Sequence, residues 1–62
     1  MDDELLTTEE VAHYFRTVPA TVRYWRHVGK GPRSLRVGRR VLYRTSDIHA
    51  WAEKALTEEP AA

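Results

Sequence analysis

Pro19 divides this chain where a single long helix would otherwise form. The runs TEEVAHYF before it and PATVRYWRHV after it both have helical patterning. A proline inside a helix removes one hydrogen bond and its ring clashes with a carbonyl one turn earlier. At the first turn of a helix it is well tolerated. Two short helices are therefore expected, separated by Arg16, Thr17 and Val18. The first is marked at its start, because Thr7 followed three residues later by Glu10 is a capping box, and Leu6 with Val11 can form a hydrophobic staple. Glu9 and Glu10 suit the positive end of the helix dipole. Val11, Ala12 and Phe15 then recur at helical spacing, which predicts a helix over residues 8–16.

The second helix is expected over residues 19–28. Its wheel collects Val22, Trp25 and Gly29 on one side, with Thr21 at the margin, and Ala20, Arg23, Tyr24 and His27 on the other. Gly29, close to Gly31-Pro32, ends it. Two β segments follow, 34–37 and 41–44, around Gly38-Arg39-Arg40. A two-residue turn at Gly38-Arg39 would put Leu35, Val37 and Leu42 on one face. A three-residue loop collects Leu35, Val37, Val41 and Tyr43, the better apolar face, and is preferred; it leaves Leu42 pointing outward among arginines. Thr45 or Ser46 can cap a last helix with Asp47 in its first turn, and Ile48, Trp51, Ala52 and Ala55 form its buried stripe. The TEEPAA end is expected to fray beyond Leu56.

The order is helix, turn, helix, two-stranded wing, helix: a mainly α chain with a small β-hairpin, that is, a winged helix-turn-helix. Its 62 residues allow one domain, with an ordered core over about residues 5–56 and frayed acidic ends. Without cysteine it can form neither disulfides nor thiolate metal sites. The acidic start MDDELL is unlike a signal peptide and no apolar run is long enough to span a bilayer, so a soluble cytoplasmic protein is expected.

The net charge of +1 conceals a strong asymmetry. Residues 11–46 hold Arg16, Arg23, Arg26, Lys30, Arg33, Arg36, Arg39, Arg40 and Arg44, and no Asp or Glu. The acids lie in the flanks. A cationic centre of this kind is the footprint of a polyanion binder.

The runs LLTTEEVAHYF, PATVRYW and RVGRRVLYRTSDIHAW resemble the small excisionase-type, MerR-like winged helix-turn-helix domains of bacteria and their phages, over residues 5–56. The family pattern is a capped first helix, a P-x-T-V-x-x-W recognition helix, a basic G-R-R wing and an S-D-aliphatic-x-x-W helix. The resemblance implies binding to double-stranded DNA, cooperative self-association along repeated sites, DNA bending, and an integrase partner whose recombination is directed toward excision. Two positions depart from it. The turn usually carries a glycine and a Ser or Thr cap just before the proline, and here these are Arg16 and Val18; Thr17 is left as the source of a capping oxygen. MerR regulators continue into a long dimerisation helix, so an effector-responsive regulator is not expected.

In a helix-turn-helix the second helix enters the major groove. Ala20, Thr21, Arg23, Tyr24 and His27 are the candidates there, with Arg23 able to pair bidentately with guanine or to clamp a phosphate. Arg39 and Arg40 at the wing tip, supported by Arg36 and Arg44, suit the backbone or a narrow minor groove. Arg16, Arg26, Lys30 and Arg33 are further backbone candidates, and Leu42 is the candidate for self-assembly. His13, His27 and His49 lie on separate elements and predict no metal site, Trp25 and Trp51 belong to apolar stripes, and no catalytic arrangement or cofactor motif is present. A small transcriptional regulator on the same scaffold, or a basic module docking an acidic protein, are the alternatives at this level.

Overall fold

The computed structural model describes residues 3–58, with side chains through Ala55. Its elements run β1 (Leu5–Thr7), α1 (Thr8–Tyr14), α2 (Pro19–Val28), β2 (Leu35–Val37), β3 (Arg40–Arg44) and α3 (Thr45–Glu58). The winged helix-turn-helix is present, with one strand more than the sequence reading gave. The apolar residues ahead of the first helix form β1, and the sheet has the antiparallel order β1-β3-β2. Among the described residues no helix is long and apolar enough to cross a membrane.

The capping box opens α1 as expected. The Glu10 amide donates to Thr7 Oγ1 at 3.1 Å and the Thr7 amide donates to Glu10 Oε1 at 2.8 Å. The helix ends earlier than the expected Arg16. Arg16 is left-handed, with φ 58°, and its amide donates to the His13 carbonyl while that of Thr17 donates to the Ala12 carbonyl. These paired bonds are the Schellman closure. Gly29, with φ 73°, closes α2 in the same way, its amide on Arg26 and the Lys30 amide on Trp25. One chain thus uses the same stop twice, once with the residue suited to it and once with an arginine. No side chain caps α2, so the oxygen expected from Thr17 is not supplied.

Val11 and Ala12 from α1, Val22 from α2, Tyr43 from β3 and Ile48 from α3 are buried, and Leu6, Phe15, Trp25 and Val41 pack around them. Burying each of the two valines contributes on the order of 1.5–3 kcal/mol relative to exposure. Phe15, Trp25 and Trp51 form a second, half-buried group with ring centroids 4.9–5.8 Å apart. The Tyr43 hydroxyl is buried and has no hydrogen-bond partner among the described residues.

The hairpin register corrects the preferred one. Val37 pairs with Arg40, Arg36 with Val41 and Leu35 with Leu42, so the turn is the two-residue Gly38-Arg39. Gly38 takes φ 62°, as the first central position of a type II′ turn requires. Leu35, Val37 and Leu42 therefore share the outer face, and Val41 and Tyr43 face the core. The apolar count of the hairpin alone favoured the other register because it omitted β1. Leu6 pairs with Tyr43 and completes the inner face from the third strand. Leu42 does point away from the core, between Thr7 and Leu35, but is half-buried by them.

The start of α3 is capped from the other end of the chain. Asp3 Oδ1 accepts from the Ser46 amide at 3.0 Å and from Thr45 Oγ1 at 3.1 Å, and Asp3 Oδ2 accepts from Ser46 Oγ at 3.0 Å. The Thr45 amide donates to the Glu4 carbonyl. The described residues thus include a cap from Asp3 and Glu4, ahead of the expected start of the core at Leu5. The helix continues to Glu58, past Leu56, and the fraying expected of the remaining tail lies outside the described residues.

Two outcomes follow for stability. Arg16→Gly relieves the left-handed strain, offset in part by a more flexible unfolded chain, and should raise stability by about 0.5–1 kcal/mol in urea titration. Hydrogen bonds from the Ser46 amide and hydroxyl, then Thr45, with the Arg44 charge adding, hold the Asp3 carboxyl below its ordinary 3.8. A lowered folded value stabilises above the unfolded one and is lost as the pH falls through the folded one. Asp3→Ala should therefore melt below the parent at neutral pH, with the gap narrowing below pH 3.8.

Candidate nucleic-acid interface

Helix α2 presents the face that its wheel predicts. Val22 is fully buried and Trp25 packs on the core, which turns Ala20, Arg23, Tyr24 and His27 into solvent, with Tyr24 62% exposed; Thr21 is half-buried at the margin. The segment leaving α2 is fixed as firmly. At Gly31 a Cβ would come within 2.7 Å of Trp25 Cβ, so the chain can cross the tryptophan only without a side chain. The next residue, Pro32, is buried, and the Trp51 indole N–H donates to the Lys30 carbonyl at 2.9 Å. These contacts set where the wing emerges relative to α2.

At the wing, Arg36, Arg39 and Arg40 are exposed beside the Gly38 turn. Arg40 and Arg23 then meet: with Thr7, Thr8, Glu9, Val41 and Leu42 they line one open cleft between α2, the start of α1 and the edge of β3. The cleft exists because β1 covers β3 only as far as Leu42 before the chain turns into α1. Two cations far apart in sequence, from α2 and the wing, are brought to one surface. Glu9 lies between the elements, its Oε2 4.0 Å from Arg23 Nη1.

Not every expected cation belongs to this surface. Arg44, assigned to the wing, sits at the opposite end of β3, where its Nε donates to Asp47 Oδ2 at 2.9 Å. It brackets β3 and the first turn of α3, at the end of the strand away from the wing tip. Lys30 lines a separate hollow with Gly29, Gly31, Trp51, Lys54 and Ala55. Arg16 occupies the strained stop of α1, while Arg26, in the last turn of α2, and Arg33, in the loop before β2, are exposed. The sequence reading gave Glu9 only a helix-dipole role and Thr7 and Thr8 none at the site. Their signal was the apolar pair Leu5-Leu6 ahead of the capping box, which reads as a short strand once a β partner is sought.

Among the described residues the cleft is open and its ionisable groups, Glu9, Arg23 and Arg40, are exposed, so its chemistry is that of exposed guanidinium groups. Such groups suit the phosphates and base edges of a nucleic acid. In comparison with known proteins, a family described as a helix-turn-helix domain matches residues 5–55. No curated protein matches the chain.

The division between tip and bracket is measurable. Arg40→Ala should weaken DNA binding and flatten the dependence of log K on log salt by about 0.9, the slope of one phosphate contact. Arg44→Ala should leave that slope unchanged and lower stability by up to about 1 kcal/mol, as for a partly exposed ion pair.

Proposed function

The chain belongs to the helix-turn-helix domain family, and from that premise we propose that this DNA-binding domain is an excisionase-type, MerR-like protein of a phage or prophage. In this reading it binds repeated sites beside an attachment site in the bacterial cytoplasm, bends the DNA, and directs an integrase toward excision. It performs no catalysis and needs no cofactor.

The observation that carries the reading is the meeting of Arg23 and Arg40 at one cleft. With α2 in the major groove, Arg23 reaches a base edge or a phosphate. The wing then lies over the neighbouring backbone or minor groove, where Arg39 and Arg40 meet negative potential. A single protomer grips two adjacent grooves, and successive protomers hold a curved duplex. Cooperative assembly falls to the outer face of the sheet, where Leu42 lies beside Leu35 with Leu5 and Val37 exposed nearby.

A footprint over the DNA flanking its own gene tests the role. Clustered direct repeats with bending are expected, whereas a single promoter palindrome would point to a transcriptional regulator on the same scaffold. Flat salt dependence, or no binding at low salt, would remove the DNA-binding reading and favour docking of an acidic protein. Leu5→Asp, on the same sheet face but outside the cleft, should keep single-site affinity and lose cooperativity on multi-site DNA, and Leu42→Asp should lose cooperativity as well while weakening single-site binding; unchanged cooperativity in both would exclude the sheet face as the contact.

A further inference from the structure

Glu9 is an acidic side chain on a surface otherwise suited to a polyanion. Among the residues lining the cleft it is the only carboxylate, beside the cations Arg23 and Arg40. Facing phosphates, a carboxylate there lowers affinity, so its position calls for a compensating role. The capping box does not require it, since that task belongs to Glu10. Its backbone is nonetheless held firmly, between the buried Thr8 and the boxed Glu10 at the capped start of α1.

The geometry points to Arg23 as the reason. The Glu9 carboxylate lies 4.0 Å from Arg23 Nη1, with both side chains more than half exposed. That distance exceeds a charge-assisted hydrogen bond of about 2.7–2.9 Å, so the pair restrains the guanidinium without locking it. A guanidinium has five N–H donors in a fixed fork and can face a carboxylate along one edge while offering others elsewhere. We propose that Glu9 is a positioning residue for Arg23: it holds the guanidinium from behind so that the free donors address a guanine edge instead of a phosphate. Glu9 then determines specificity at the expense of affinity, and the two cleft arginines divide the work. Arg23, turned by its partner, reads a base; Arg40 serves the backbone. The inference rests on the DNA-binding reading above and assigns Arg23 a role that reading leaves open.

Selection from a pool of randomised short duplexes, with the whole protein and its variants, tests it. The parent should select a guanine at one position, and Arg23→Ala should lose that preference. Glu9→Gln should also lose it, while binding random-sequence DNA several-fold more tightly and with a salt slope steeper by about 0.9, because Arg23 is released to a phosphate. In the Arg23→Ala background, Glu9→Gln should change base preference no further, a coupling that a purely structural role of Glu9 would not produce. Glu9→Asp keeps the charge but shortens the reach; it should lose the preference without the gain on random DNA, and it serves if Glu9→Gln folds poorly. Retention of the parent's base preference in both Glu9 variants, or uniform tightening on all sequences, overturns the proposal while leaving DNA binding intact. A parent protein that binds no duplex at low salt overturns both.

Discussion

The pairing of Leu5–Thr7 with β3 is the contact on which the rest of the structure depends. It is only three residues long, yet it performs three tasks at once. Leu6 beside Tyr43 completes the inner face of the sheet. Thr7 ends the strand and in the same position caps α1, so the first helix starts at a fixed place on the sheet. Ahead of the strand, Asp3 and Glu4 reach the first residues of α3. The wing, the first helix and the last helix are thereby tied to one short segment, and α2 is positioned against α1 and the core through Val22 and Trp25, with Trp25 also against Trp51 of α3.

That arrangement explains how so small a chain holds an exposed cationic surface in register. The core is modest, and domains of this size are marginal on burial alone. Much of the fixing comes from closures that satisfy backbone groups: two Schellman stops, a capping box, a remote carboxylate cap and an indole bond to the loop carbonyl. Left-handed Arg16 and the uncapped start of α2 show where stability is not maximised. Both lie in the turn of the helix-turn-helix, the segment nearest the exposed face of α2.

Charge follows the same division. Residues 11–46 carry no acid, but folding does not present their cations as one uniform surface. Arg44 turns to Asp47, Lys30 lines another hollow, and Arg23 and Arg40 meet across the cleft. The acidic flanks are equally divided. Asp3 becomes a cap, Glu10 part of the capping box, and Glu9 the neighbour of Arg23. A linear count of charge identifies the class of partner, whereas the fold decides which charges face it.

The sequence by itself determined the two helices and their separation, the capping box, the buried and exposed sides of α2, and the cationic centre. These are local matters, settled by contacts within one or two turns, and Thr7, Glu10, Pro19, Val22 and Gly29 announce them directly. The alternating runs around Gly38 also announced the wing, and with it the order of elements; the family resemblance added the expected DNA-binding role. Tertiary structure alone decided the third strand, the wing register, the partners of Asp3 and Arg44, and the meeting of Glu9, Arg23 and Arg40. Each is a pairing between segments distant in the chain, where the local pattern is silent or misleading. The hairpin's own residues favoured one register, and the other is adopted because Leu6, from far upstream, supplies the missing part of its inner face.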